Sequence, residues 1–487
     1  MQHMRESVTG RPFLSSATFA GLPGIDPRIV RALEARSITS MSVPQAKYMP
    51  AAMAGGDTIV RAATGSGKTL GFLVPAIQRI IEGGTSDGVS VLVLSPTRGL
   101  AEQTAAEARS IVTGFKGAIG VQAVIGGTSK ALAGRCDIVS ATPGRLLDLI
   151  VNGGFASRLR SVRVLVLDEA DVMLDRGFLL AVRSIVSTLG SPETRQTMMF
   201  TATLSDDVLK LAKPPLMRAS VQPINATGGT ARASRSKVTH VARVVDAGRL
   251  LSEAIRSIKA HARVQKDYRI ILFANTVSTV QYIAALLRAT GDPLLGSALE
   301  LHSDMSQPQR ERTHAAFAHR GGLLVASDVI GRGVDFPDVS LVVQIGIAQN
   351  ADQVVHRVGR TGRAGKSGEA VTLLGTDEAS DSVLAEMQSK IPSTTVVRDR
   401  PSSRPSSSNA ALLALAVQTV QGRDGGKSSC SAYRSALGFY SGQRKRLGWT
   451  AAQVVEATRR RFEPLGAVSC VVSDRQMKKM NLHLALK

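Results

Sequence analysis

Cysteine is scarce in this chain of 487 residues. Cys136, Cys430 and Cys470 lie far apart, with no paired CxxC spacing and no even-numbered framework. That pattern supports neither a disulfide scaffold nor a zinc site, and a reducing compartment fits it best. Aromatic residues make up only 4% of the chain, so binding of a single strand by rows of stacked bases is disfavoured and backbone contacts are favoured. Acids are outnumbered: 38 Asp and Glu face 60 Lys and Arg, a formal net charge of +22. A polyanion partner is the natural inference. Long apolar runs are missing as well. None approaches the roughly 20 residues that a membrane span needs, and no lipidation motif is present, so a soluble protein without a membrane role is expected. His314 and His319 are the only close histidine pair; with no cysteine or acidic ligand pattern around them, they read as surface residues of a helix.

What the chain does have is length and rhythm. It is too long for one ordinary core. Residues 1–18, with Arg5, Arg11, several Ser and Thr and one acid, have the composition of the tail of an organellar transit peptide, and equally of an ordinary disordered N-terminus. Over residues 19–221 the short apolar runs "DTIVRAA", "VSVLVLSPTR", "GVQAVIGG", "CDIVSATPGR", "VRVLVLDEAD" and "QTMMFTATL" alternate with amphipathic stretches such as "LAEQTAAEARSIV". They predict buried parallel strands between helices: a doubly wound α/β domain, in which loops leaving the carboxyl ends of the strands build the site. The small, polar stretch 222–236 is a linker. The rhythm restarts over 237–398 with "YRIILFANT", "GLLVASDVIGRGVD", "VSLVVQIG" and "EAVTLLG", a second α/β domain. A Pro- and Ser-rich linker follows at 399–409, then a basic helical extension at 410–487. From residue 425 onward 12 Lys and Arg face 3 Asp and Glu. Tyr433, Phe439, Tyr440 and Trp449 are interleaved with arginines there, which favours nucleic-acid contact over a helical cap with an aromatic core.

Three motifs carry chemistry. In "AATGSGKT", residues 62–69, a Gly-rich turn follows a strand and opens a helix. Gly65 and Gly67 let backbone N–H groups turn toward phosphate oxygens, Lys68 can reach the β and γ phosphates of a nucleotide, and the Thr69 hydroxyl can ligate Mg2+. "VLVLDEADVM", 164–173, places Asp168, Glu169 and Asp171 close enough to repel, which is useful only beside a strong positive charge such as a bound metal. Asp168 can hold magnesium on the phosphates, Glu169 can orient and deprotonate an attacking water, and Asp171 is less clearly tied to the metal. "HRVGRTGR", 356–363, sets Arg357, Arg360 and Arg363 at three-residue spacing, along one face of a turn or helix start, where guanidiniums can act as fingers on the γ-phosphate. They belong to the second domain, so the catalytic site is expected to be complete only when the two domains close.

With these motifs in this order, the chain resembles the DEAD-box RNA helicases from Phe19 to about residue 398. The resemblance implies two tandem RecA-like domains, with ATP and Mg2+ as cofactors. It implies adenine recognition by Gln45, nucleotide contacts from Thr64, Gly65, Ser66, Gly67, Lys68 and Thr69, and, in "ASDVIGRGVD", Gly333 and the ribose-holding Asp335. Thr69 and Asp168 would hold the metal; Lys68, Asp168, Glu169, His356, Arg360 and Arg363 would be catalytic. RNA-backbone contacts are implied for Arg98 of "PTRGLA", Gly127, Thr142 and Arg145 of "TPGR", Asn275 and Thr276 of "LFANT", Gln307 and Arg310 of "HSDMSQPQR", and Ser327 and Asp328. Such groups suit phosphate and ribose contacts, not reading of base edges. Some positions depart from the family pattern. Ile38 replaces an aromatic over the adenine, which would lower nucleotide affinity, and Gly99 replaces a Glu. Thr201 of "TAT" and Ser327 are conservative swaps. Gly346 in "QIGIAQN" lacks a carboxylate, which would loosen coupling between ATP and RNA. The stretches "AYRSALGFYSGQRKRLGW" and "VVEATRRRFEPLG" resemble the helical extension of mitochondrial and other organellar members that act as general RNA chaperones. That implies an extra RNA grip and a mitochondrial matrix location, with cytoplasm or nucleus as the alternatives.

The expected activity is RNA-dependent ATP hydrolysis with local duplex unwinding, by a monomer serving organellar ribosome assembly or intron folding. Its partners would be rRNA or other structured organellar RNA, and ribonucleoprotein assembly proteins. The rival is an ATP-gated RNA clamp with little turnover. Glu169 and Arg360 favour the enzyme, because a clamp needs no water-activating base; Ile38, Gly99 and Gly346 lean toward the clamp. A DNA-acting motor fits the motif set less well.

Overall fold

The computed structural model describes residues 14–483 except 63–65, 85–86, 128–133, 176, 205, 219–220, 227–237, 329–335, 337, 363–366, 400–406 and 468–469. Thr64, Gly65, Gly333, Asp335 and Arg363 lie outside the described residues, as does most of each predicted linker. The chain divides into two units, Met1–Ala233 and Ser234–Lys487.

The first unit is built on seven parallel strands: β3 (Thr58–Arg61), β4 (Val91–Leu94), β5 (Val121–Val124), β6 (Ile138–Ala141), β7 (Val164–Leu167), β8 (Gln196–Thr201) and β9 (Pro223–Asn225). Their order is β5-β6-β4-β7-β8-β3-β9. The six apolar runs became β3 to β8. In β4 and β7, both Val-Leu-Val-Leu, every residue is buried, as expected of strands covered by helices on both faces. Phe200 of β8 sits between the rings of Tyr48 and Phe72, each centroid 5.4 Å away, and such ring pairs add about 0.5–1.5 kcal/mol beyond their buried area. Two sequence boundaries need correction. Leu14–Thr18, read as tail, forms β1 and pairs with β2 (Ser40–Ser42). Pro223–Asn225, read as linker, pairs with β3. Both strands are short and lean on backbone pairing, which leaves little hydrophobic pattern to read.

The second unit has its own parallel sheet of β10 (Val238–Val245), β11 (Arg269–Phe273), β12 (Leu299–Leu301), β13 (Gly322–Ala326), β14 (Leu341–Ile345), β15 (Gly368–Gly375) and β16 (Thr395–Arg398). The order is β12-β13-β11-β14-β15-β10-β16. In helix Gln307–Arg320, His319 is exposed as expected, but His314 is half-buried, its ring 4.9 Å from that of Phe336.

Helices Ser407–Asp424, Lys427–Leu447, Ala451–Phe462 and Asp474–Lys479 form the extension. The first begins at Ser407, inside the stretch read as the second linker. Leu413, Val417, Leu437 and Val454 share one hydrophobic core with Ile255, Val280 and Leu287 of the sheet's own helices. The interleaved aromatics are part of that core: Tyr433 and Tyr440 are buried, and Phe439 and Trp449 pack against it. Arg461 is buried too, its guanidinium over the rings of Tyr440 and Trp449 at 4.8 and 5.7 Å. The rings of this segment therefore form the aromatic core of a helical cap rather than a nucleic-acid surface. The cysteine expectation is also corrected, because Cys430 and Cys470 form a disulfide. Their separation of 40 residues carries no short-range signature, and the fold of the extension brings them together. Among the described residues no helix is long and apolar enough to cross a membrane.

His240, on β10, is fully buried between the hydroxyls of Thr394 and Thr372, with ring-nitrogen distances of 2.8 and 2.9 Å. Burial lowers its pKa to about 4, below the ordinary value near 6.5. The unfolded chain therefore takes up the proton first, and stability present above pH 6.5 is lost as the pH falls toward 4, at up to about 1.4 kcal/mol per pH unit. In chemical unfolding at pH 7 and pH 5, His240→Gln should shrink the pH-dependent loss in the second unit; an unchanged loss assigns it to other groups.

Candidate nucleotide and RNA site

In the first unit the carboxyl edge of the sheet splits into two halves. The neighbouring strands β7, β8 and β3 lead into Asp168, Thr201 and the loop before Lys68, while β5, β6 and β4 lead into Gly127, Thr142 and Arg98. Lys68 opens helix Lys68–Gly83, after Gly67 at a φ of 84°. A side chain at Gly67 would be strained by that φ and would meet the Gln45 amide at 2.7 Å. Gln45 shapes this loop: its Nε2 donates to the Gly67 carbonyl at 2.8 Å, and its Oε1 accepts from the Ser42 N–H at 2.7 Å. Ser42, which N-caps helix Val43–Met53, donates its hydroxyl to the Ser66 carbonyl at 2.8 Å. The S-x-x-Q capping box was a readable signal for Ser42.

Lys68, Asp168 and Glu169 are buried, and among the described residues Lys68 Nζ, Asp168 Oδ1 and Glu169 Oε2 make no hydrogen bond. Burial, reinforced by the charges of Glu169 and Asp171 and opposed by Lys68, raises the Asp168 pKa to about 7. Tyr48, whose hydroxyl fills the space over Gly71, has its pKa pushed up by burial and by Asp168. Glu169 has a φ of 54°, a left-handed conformation that costs a non-glycine residue of order 1–3 kcal/mol. Asp171 plays a different part. Its Oδ2 accepts from the Thr203 N–H and hydroxyl at 3.1 and 2.9 Å, tying the acidic turn to the end of β8. Thr69 is half-buried in the same first turn as Lys68. Among the described residues no three His, Cys, Asp or Glu converge on a metal position. Ile38 is partly buried and packs against the core cluster that contains Phe19.

On the other half of the edge, Arg98 is exposed at the start of helix Arg98–Val112, and its guanidinium fills the space that a Cβ at Gly126 would need. Gly127 is exposed with a φ of 95°. Thr142 takes the N-cap position of helix Pro143–Asn152 without using its side chain as a cap, and Arg145 pairs with Asp148.

In the second unit β13, β11 and β14 are neighbours, so Ser327 and Asp328, Asn275 and Thr276, and Gly346 follow one another along the carboxyl edge. Among the described residues the buried Ser327 hydroxyl has no partner, while the Thr276 hydroxyl caps helix Val277–Ala289. Arg357 departs from the expected finger face. It is fully buried, donates to both Asp328 oxygens at 2.6 and 2.7 Å and to Asn275 Oδ1 at 3.0 Å, and lies over the Phe273 ring. His356 and Arg360 are buried as well, Arg360 Nε donating to the His356 carbonyl at 3.3 Å. Arg310 folds onto the Met305 and Ser303 carbonyls of its own loop, and Gln307 opens its helix. A concavity of about 1170 Å³ opens elsewhere, lined by Arg269, Gly322, Ser340 and Gly368 at the amino ends of the strands, and it holds none of the predicted site residues.

Each unit carries a parallel sheet, and in the first unit Lys68, at the start of its helix, lies within electrostatic reach of Asp168 in the acidic turn. The DEAD/DEAH box helicase family matches residues 42–211, and the helicase conserved C-terminal domain matches residues 250–365. DEAD-box ATP-dependent RNA helicase 25 of Arabidopsis thaliana is 36% identical over 454 residues, which cover 90% of this chain and 77% of that protein. Helicase 26 of Arabidopsis thaliana is 38% identical over 380 residues, but the chain spans only 44% of its length. The mitochondrial ATP-dependent RNA helicase mss116 of Aspergillus oryzae is 32% identical, with 88% of this chain and 67% of that protein covered. A structure of Mss116p bound to single-stranded RNA and AMP-PNP superposes with a TM-score of 0.83 at 25% identity, covering 97% of this chain and 96% of that one. The chain belongs to the DEAD-box ATP-dependent RNA helicase family.

Proposed function

We propose that the protein hydrolyses ATP in response to RNA and uses the cycle to unwind or remodel structured RNA locally. The observation that carries this is the set of buried polar atoms without hydrogen-bond partners: Lys68 Nζ, Asp168 Oδ1 and Glu169 Oε2. Buried charges are costly unless paired, and a polyphosphate with its cation supplies both signs. Gln45 and Ser42 hold the loop in shape and leave one Gln45 N–H for adenine. Lys68 meets the phosphates, and Glu169 orients the attacking water and takes its proton. Mg2+, when bound, neutralises charge on the phosphate oxygens, with Thr69 and Asp168 as the residues to hold it. His356, Arg360 and Arg363 complete the catalytic set; Gly333 and Asp335 serve the nucleotide. RNA-backbone contacts fall to Arg98, Gly127, Thr142 and Arg145 in the first unit and to Asn275, Thr276, Gln307, Arg310, Ser327 and Asp328 in the second. The net charge of +22 and the RNA in the Mss116p structure support that partner. The mitochondrial relative supports a mitochondrial location, with cytoplasm or nucleus as the alternatives; the matrix, and a role in organellar ribosome assembly or intron folding, extend that reading.

Steady-state ATPase measurements with and without structured RNA test this. RNA should stimulate turnover, and Lys68→Ala should lower it by about 10²-fold, the typical cost of removing one charge-stabilising donor. RNA retention that depends on ATP but shows no turnover in the wild type would replace the motor with a clamp.

A further inference from the structure

Four strand ends of the second unit, β13, β11, β14 and β15, are neighbours, and the last of them meets the extension. Gly346, at the end of β14, has a φ of 73°, and the space of its missing Cβ is bounded by Tyr440 Oη at 2.9 Å, Glu378 Oε1 at 3.1 Å and Asn275 Nδ2 at 3.4 Å. Glu378 follows β15 and is fully buried. Its Oε1 accepts from the Tyr440 hydroxyl at 2.7 Å and from the Ile347 N–H at 3.1 Å, while its Oε2 accepts from the Gly375 N–H at 2.8 Å. Arg461 Nη2 lies 3.1 Å from Glu378 and 2.6 Å from Asp377. Burial pushes the Tyr440 pKa well up, so its phenol stays protonated and donates.

We infer that the Tyr440 hydroxyl, seated on Glu378 against Gly346, positions Asn275 and the Arg357–Asp328 pair behind it, so that the extension sets the RNA-contact edge from inside the fold. Tyr440 is a positioning residue in this scheme: it acts through the turn at Gly346 and touches no RNA. The neighbouring helix points the same way. Helix Val277–Ala289, capped by Thr276, is held by the extension through a Ser431–Ser278 hydroxyl contact of 3.3 Å and a Tyr282–Leu465 hydrogen bond. The inference rests on the proposed reading of Asn275 and Asp328 as RNA contacts.

The test is RNA-stimulated ATPase of the full chain, titrated with one structured RNA, together with thermal melting. Tyr440→Phe keeps the ring and removes the hydroxyl. It should raise the half-saturating RNA concentration about threefold to tenfold, the net worth of one ordinary hydrogen bond, while turnover at saturating RNA changes by less than about twofold. Trp449→Phe, which trims the same ring cluster without touching the hydroxyl, should lower the melting temperature and leave RNA half-saturation alone. Asn275→Ala should raise half-saturation, and adding Tyr440→Phe to it should contribute little more, the non-additivity of residues acting through one another. An effect of Tyr440→Phe confined to melting, or one that multiplies fully with Asn275→Ala, overturns the inference. An unchanged half-saturation in Asn275→Ala would instead overturn the RNA reading of this edge.

Discussion

Glu169→Gln should abolish most ATP turnover while ATP-dependent RNA binding survives. Gln keeps the size of Glu and can still hydrogen-bond a water, but it cannot accept the water's proton. General-base catalysis is typically worth about 10²–10⁴-fold, and that is the expected loss in kcat. The backbone supports the assignment. Glu169 occupies the left-handed region at a φ of 54°, and strain of this kind gathers at functional positions. Asp171 shares the acidic turn but is satisfied by Thr203, so a loss of turnover in Asp171→Asn should come with loosening of the turn. Single-turnover hydrolysis and fluorescent-nucleotide binding separate the two. Turnover of Glu169→Gln within about threefold of wild type would remove Glu169 as the base.

Arg461→Met should destabilise the second unit by about 3–5 kcal/mol, the range for stripping one partner from a buried ion pair. The Arg461 side chain is only 5% exposed and Glu378 is fully covered. Burial opposes the charge of Arg461, yet Glu378 and Asp377 outweigh it and hold the guanidinium protonated. Methionine fills much of the space and leaves both carboxylates without their cation. Arg446 pairs with Glu386 in a more exposed setting, with side chains 22% and 38% accessible, and Arg446→Met should cost no more than about 1 kcal/mol. Urea unfolding read on the second unit's transition compares the two. Equal costs would mean that solvent screens the Arg461 cluster as it does a surface pair.

How much of this was legible in the sequence depended on the range of the interaction that fixed each feature. Val-Leu-Val-Leu strands declare themselves because burial on both faces demands an unbroken apolar run, and Lys68 and Asp168 stood out because each follows such a run. β1 and β9 did not, being held by short backbone pairing. The spacing of Arg357 and Arg360 predicted a shared face, but it could not show that Asp328, 29 residues upstream, would draw Arg357 inside. Asp171 found its partner on another strand end, and Cys430 found Cys470 only through the path of the extension. The aromatic and basic residues of the tail read as a nucleic-acid surface because composition does not say which way side chains face. Exposed cations do remain there, among them Lys427, Arg459 and Lys478, but the rings point inward.

The shared core has a consequence for the history of this chain. Leu413, Val417, Leu437 and Val454 cover apolar side chains of the second sheet's own helices, so a stop codon just past residue 398 would yield a protein with a bare greasy stripe. Such a product would be recognised by chaperones and proteases before any RNA tested it. The tail can therefore drift in its outward charges but not be shed, and a shortened gene copy would disappear through quality control rather than through weaker RNA binding.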